Sequence, residues 1–168
     1  MPSSSVSAFF DLASAFCAWC EDTSPGADRT RQLAAWLARL HGAALSLPAV
    51  SGDEGGDAYP DLPEEALQRA KANFAPLMGC LYREHLDLDP WAPEQAGMGD
   101  IGDDVLDTYQ DIKRGLLLHE AGMPNHALWF WSYMHGVHWG RHVVGAMYAI
   151  HCLWSNGEMG VGLEDEGL

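Results

Sequence analysis

The sequence predicts an all-α fold, a single-domain antiparallel bundle of about five helices ending in a buried, apolar C-terminal helix. Three observations predict it. Apolar residues recur at spacings of three and four along several segments, Gly- and Pro-rich stretches separate those segments, and no alternating run is long enough to make a convincing strand. At 168 residues, 48% of them hydrophobic and seven of them Trp, the chain is long enough to bury one real core.

The elements are justified in turn. Ser3 to Ser5 offer a cap for a first helix whose Val6, Phe9, Phe10, Ala13, Phe16, Cys17 and Cys20 keep helical spacing up to the SPGAD break. A second helix is expected from about Asp28 to Leu45, with Leu33, Trp36, Leu37, Leu40 and Ala44 inward and His41 at its boundary. Pro48 to Leu62 reads as a mobile loop. Asp61, Pro63, Glu64 and Glu65 open a third helix bearing Leu67, Ala70, Phe74, Leu77 and Leu81, kinked at Pro76 and finished before Pro90. Residues 87–102 carry too much Pro and Gly for regular structure.

Asp100 or Asp103 then caps an acidic helix, DDVLDTYQDIKRGLLLHEA, which Gly122 terminates. The helix dipole accounts for Asp103 and Asp104 in the first turn but does not reach Asp111. From Pro124 or Asn125 one long helix is expected to run to about residue 154, greasy nearly all round and therefore buried. Residues 1–154 are expected to form the helical domain, and 155–168, SNGEMGVGLEDEGL, read as an acidic, Gly-rich disordered tail.

Composition narrows the function classes. A net charge of −15 with only nine Lys plus Arg argues against nucleic acid or an anionic membrane as partner, and favours a basic protein or a cation. The N-terminal run MPSSSVSAFFDLASAFCAWC has no basic region ahead of it and holds Asp11, so it reads as neither signal peptide nor anchor. The expected location is the cytoplasm, with reduced thiols. Cys17 and Cys20 lie inside a helix without a second ligand pair, and read as small buried hydrophobes rather than a redox or zinc motif.

The acidic helix and the one after it carry the candidate site. At 100° per residue Asp104, Asp107 and Asp111 fall within about 60° of one another, beside a greasy stripe of Val105, Tyr109, Ile112 and Leu116. On the next helix Trp131, His135, His138 and His142 share a narrow arc. Gly136 and Gly140 signal a neighbouring backbone pressed close.

The run DDVLDTYQDIKRGL followed by HWGRH resembles a family of bacterial all-helical domains of unknown function, number fifty sixty-three in its naming series. The matching positions are Asp103, Asp104, Asp107, Tyr109, Asp111, Gly115 and Leu116, then Trp129 and Trp131, then His138, Trp139, Gly140 and His142. The resemblance covers residues 100–154, with fainter likeness at Tyr82 and Asp89-Pro90. It implies an all-helical fold and no reaction. His135 and Gly136 depart from the family's pattern, an aromatic and an acid, which counts against a site that needs His135.

Three readings of the cluster stand side by side. In the first it is a buried polar network in a binding or interaction domain, Asp104, Asp107 or Asp111 accepting from His138 or His142, with Tyr109, Trp131 and Trp139 as further donors. In the second, His138 and His142 with Asp107 and Asp111 bind a divalent metal, zinc, iron or manganese, in a metal-binding protein or metal-dependent hydrolase. In the third, Trp131, Trp139 and Tyr109 wall a small-molecule pocket oriented by His138, His142 and Asp111.

Overall fold

The computed structural model describes residues 4–24, 29–48, 59–85, 89, 91 and 96–157. Helix α1 (Ser4–Glu21), α2 (Arg29–Ala44) and α3 (Glu64–Phe74) are followed by a 3-10 turn at Ala75–Leu77 and a hairpin of β1 (Leu81–His85) and β2 (Ala96–Asp100). Then come α4 (Ile101–Glu120), α5 (Pro124–Val137) and α6 (Trp139–Ser155). Six helices and one two-stranded sheet thus make a predominantly all-α domain. The expected tail, the cap at Ser3, the helix start at Asp28 and most of the loop after Pro48 lie outside the described residues.

Helix α4 packs on α1, α3, α5 and α6, so the bundle is built around it. Its greasy stripe, Val105, Tyr109, Ile112 and Leu116, is buried. Against that stripe Phe9 and Phe10 of α1 meet Trp131 of α5 edge-on, with ring centroids 4.9 Å apart in each pair. Such pairs add roughly 0.5–1.5 kcal/mol beyond the area they bury. Helix α6 buries Trp139, Val143, Ala146 and Ile150, while Val144 and Tyr148 on its outer side stay exposed.

Two expectations are corrected. The third helix does not run on through Leu77 and Leu81 with a kink at Pro76: it stops at Phe74, because proline has no N–H to continue the ladder. Gly79, at φ +81°, turns the chain, and LYREH pairs antiparallel with AGMGD in the register Tyr82↔Gly99 and Glu84↔Gly97. One side chain holds both ends of this excursion. Asp100 caps α4 by accepting from Gly102 N and Asp103 N, while its second oxygen accepts from Gly79 N at 2.7 Å.

The expected single last helix is also two. His138, with φ −142° and ψ −89°, separates α5 from α6. There the chain doubles back so tightly that a Cβ on Gly140 would stand 2.2 Å from the His135 carbonyl oxygen, a space only glycine leaves open.

The Cys17 and Cys20 thiols are free and buried, and burial pushes both well above the usual thiol range. In native protein Ellman's reagent is expected to leave these two untouched, modifying at most Cys80 and Cys152, and to reach all four only after unfolding. Rapid native reaction of four thiols would contradict the packing of α1.

Candidate metal centre

Helix periodicity brings Asp104, Asp107 and Asp111 to the side of α4 that faces the joint between α5 and α6, and the joint supplies the imidazoles. His138 occupies the N-cap position of α6 and His142 lies one turn inside it. Their rings meet edge-on with centroids 4.8 Å apart.

Each imidazole is held from behind by its own carboxylate. His142 Nδ1 lies 2.7 Å from Asp104 Oδ1, and His138 Nδ1 lies 2.7 Å from Asp111 Oδ2. Both carboxylates are nearly inaccessible, with side chains 7% and 1% exposed, and each has a second donor. The Tyr82 hydroxyl donates to Asp104 Oδ2 at 2.7 Å, and Arg114 Nη1 donates to Asp111 Oδ1 at 3.2 Å. A carboxylate that already takes such donors acts as an acceptor, so in both histidines Nδ1 carries the hydrogen and donates it. The tautomer is thereby fixed, and the Nε2 lone pair of each ring points forward.

What both Nε2 atoms face is Asp107. Its Oδ2 lies 3.5 Å from His142 Nε2 and 4.0 Å from His138 Nε2, while its other oxygen accepts from Gln110 at 3.2 Å. The three donor atoms lie within 4.8 Å of one another. Around a tetrahedral ion with bonds of about 2.0 Å, ligand atoms stand roughly 3.3 Å apart, so a small inward movement closes the set. Two lone pairs and a carboxylate oxygen turned toward one point repel unless a cation lies among them, a proton on an imidazole or a metal ion.

The electrostatics follow the same division. The hydrogen bond to Asp104 holds the His142 imidazole above its ordinary pKa, against the effect of burial. Burial pushes the Asp111 carboxyl up, opposed by His138 and Arg114. Burial and the neighbouring carboxylates of Asp107, Asp100 and Asp104 raise Asp103 too. The open side of the cluster is solvent: the side chains of His138 and Asp107 are 40% and 29% exposed.

Not every residue singled out in the sequence belongs here. Tyr109 donates to Glu21 Oε1 at 2.9 Å on another face of α4, where Lys113 joins the same carboxylate at 2.8 Å. Trp131 and Trp139 are fully buried and donate to the carbonyl oxygens of Ile112 and Trp131. Among the described residues the hydrogen bonds of these three go to Glu21 and to backbone carbonyls rather than to the Asp/His cluster. Asp111 clamps an imidazole from the rear rather than facing the shared point. His135 turns away to His41, at 3.1 Å.

The family description Domain of unknown function (DUF5063) matches residues 1–156. The chain belongs to the DUF5063 family. The match extends well beyond residues 100–154, where the likeness is legible by eye, and takes in α1 to α3 and the hairpin. Among solved structures this DUF5063 chain is similar to the crystal structure of protein BF1032 from Bacteroides fragilis, with 25% identity and a TM-score of 0.65. That likeness covers 90% of this chain and 95% of the other. No curated protein matches it.

Sequence reasoning missed Tyr82, Arg114 and Gln110 in the site of this DUF5063 chain. Tyr82 left one faint trace, the likeness to the family at that position. Arg114 and Gln110 stand three residues from Asp111 and Asp107, a spacing that pairs them on one helix.

Proposed function

We propose that this protein binds a divalent transition-metal ion through His138 Nε2, His142 Nε2 and Asp107 Oδ2. One observation carries the reading: both Nδ1 atoms are tied off to carboxylates at 2.7 Å, which leaves both Nε2 atoms directed at a third carboxylate. Histidine ligands in metal sites ordinarily donate their other N–H to such a carboxylate, which orients the ring and makes it a better donor. Two imidazoles and one carboxylate, with no thiolate, suit zinc, iron or manganese. Three protein ligands leave positions for water on the solvent side, where an ion lowers the pKa of bound water and makes hydrolysis available.

A second reading has an observation of its own. Asp104 and Asp111 are buried, and protonated imidazoles would neutralise them without any metal, as a polar network that fixes the register of α4 against α6 in a binding domain. Asp107 separates the two, since a network needs only the rear carboxylates whereas a metal needs the front one. The charge of −15 favours a basic partner in either case, and the free thiols suit a reducing compartment such as the cytoplasm. Among the described residues no helix is long and apolar enough to cross a membrane.

Elemental analysis of protein purified without an affinity tag is the direct test. About one zinc, iron or manganese per chain is expected, or uptake of one equivalent of zinc after chelation. Protein that neither carries metal nor takes it up at micromolar concentration leaves the network as the account of the cluster.

A further inference from the structure

The hairpin reaches into this site through one side chain. Tyr82 sits opposite Gly99 in the register, and a Cβ on Gly99 would fall 2.3 Å from the tyrosine ring. On the other side a Cβ on Gly145 of α6 would fall 2.1 Å from the tyrosine oxygen. The ring therefore lies in a slot left by two glycines, and its hydroxyl emerges 2.7 Å from Asp104 Oδ2. The other oxygen of that carboxylate is the one His142 Nδ1 holds, also at 2.7 Å. Glu84, two residues along β1, meets Arg141 at 3.3 Å and pins the strand beside His142.

A carboxylate gripped on one oxygen can rotate and carry its partner with it. Gripped on both, it cannot. We propose that Tyr82 is a positioning residue of the metal centre, locking the Asp104 carboxylate so that His142 Nε2 stays aimed at the ion. The assignment rests on the metal reading above, and it makes the hairpin part of the site although neither strand supplies a ligand. Tyr82 also lines a cavity of about 610 Å³ with Val144 and Tyr148, so a molecule seated there touches the ring that holds Asp104.

Cobalt(II) titration of metal-free wild type, Tyr82→Phe, Gly145→Ala and the double variant tests this, read by the visible absorption of the bound ion with the melting temperature recorded beside it. Tyr82→Phe keeps the ring and removes only the hydroxyl. Its affinity is expected to fall about tenfold, the scale on which outer partners of metal-bound histidines act, with a shifted visible spectrum. Gly145→Ala displaces the hydroxyl instead. It is expected to show a similar loss of affinity and a similarly shifted spectrum, the gain in helix propensity offsetting part of the cost of moving the ring. Because both changes break one contact, the double variant should be no weaker than either.

Wild-type affinity and spectrum in both single variants would overturn the role of Tyr82 while leaving the metal site standing. So would losses that multiply in the double variant, which point to independent packing effects. Should Tyr82→Phe not fold, Gly145→Ala carries the same comparison. Wild type that takes up no cobalt removes the metal reading itself.

Discussion

Asp107→Asn is expected to weaken metal binding by at least about a hundredfold while leaving the melting temperature of the metal-free protein unchanged or slightly higher. The amide keeps the shape and the contact with Gln110 but surrenders the negative charge that faces both Nε2 atoms. Since Asp107 is part-exposed and has Asp103 nearby, losing its charge also relieves repulsion on the acidic side of α4. His142→Ala is its counterpart. It removes a ligand and strands Asp104 with only a tyrosine for partner, and breaking a buried pair on one side costs about 3–5 kcal/mol. Metal titration and thermal melts of the two variants side by side decide the matter. An Asp107→Asn protein that binds zinc as tightly as wild type would end the three-ligand description, whereas a wild type that binds no zinc, with the melting loss confined to His142→Ala, would favour the polar network.

Gly115→Ala is expected to be the most damaging small change in the core. A Cβ at this position would fall 2.0 Å from Trp131 Nε1 and 2.2 Å from Cε2 of the same ring. That indole has nowhere to go: it is fully buried, contacts Phe9 and Phe10, and donates to the carbonyl of Ile112 at 3.0 Å. Moving it loses the hydrogen bond and the edge contacts together, a cost on the order of 3 kcal/mol. For a domain of this size that lowers the melting temperature by roughly 10 °C. Calorimetry measures it, and a drop of under about 2 °C would mean that α4 and α5 can slide apart freely.

How much of this could be read beforehand depended on whether a feature was local. The helices α1, α2 and α4 were legible because their apolar residues mark one face, and the angular clustering of Asp104, Asp107 and Asp111 follows from helix geometry alone. The hairpin was not, because AGMGD has almost no strand propensity: Gly99 is there to admit Tyr82, a partner from β1, and Gly102 of α4 just beyond it leaves room for Met78. The break at His138 was hidden for a related reason. An apolar run with no distinct face gives periodicity nothing to interrupt, and the close approach that requires Gly140 exists only in three dimensions.

The division of labour among the three aspartates belongs to the same class. Their spacing puts them on one side of a helix, but which oxygen meets which nitrogen is set by where α6 begins. Asp111, expected as a ligand, became the rear support of His138, and Asp104, expected only in the network, became that of His142. Trp131 fits the arc of the site in projection and Trp139 was expected to wall a pocket with it, yet the core claimed both rings.

The chain break also changes what an ion at this point can do. With one imidazole on the joint itself and the other just past it, an ion shared with α4 becomes a bracket across three helices. The angle between α5 and α6 would then depend on whatever occupies a few cubic ångströms of space, and loading or emptying that space would stiffen or slacken the joint at His138.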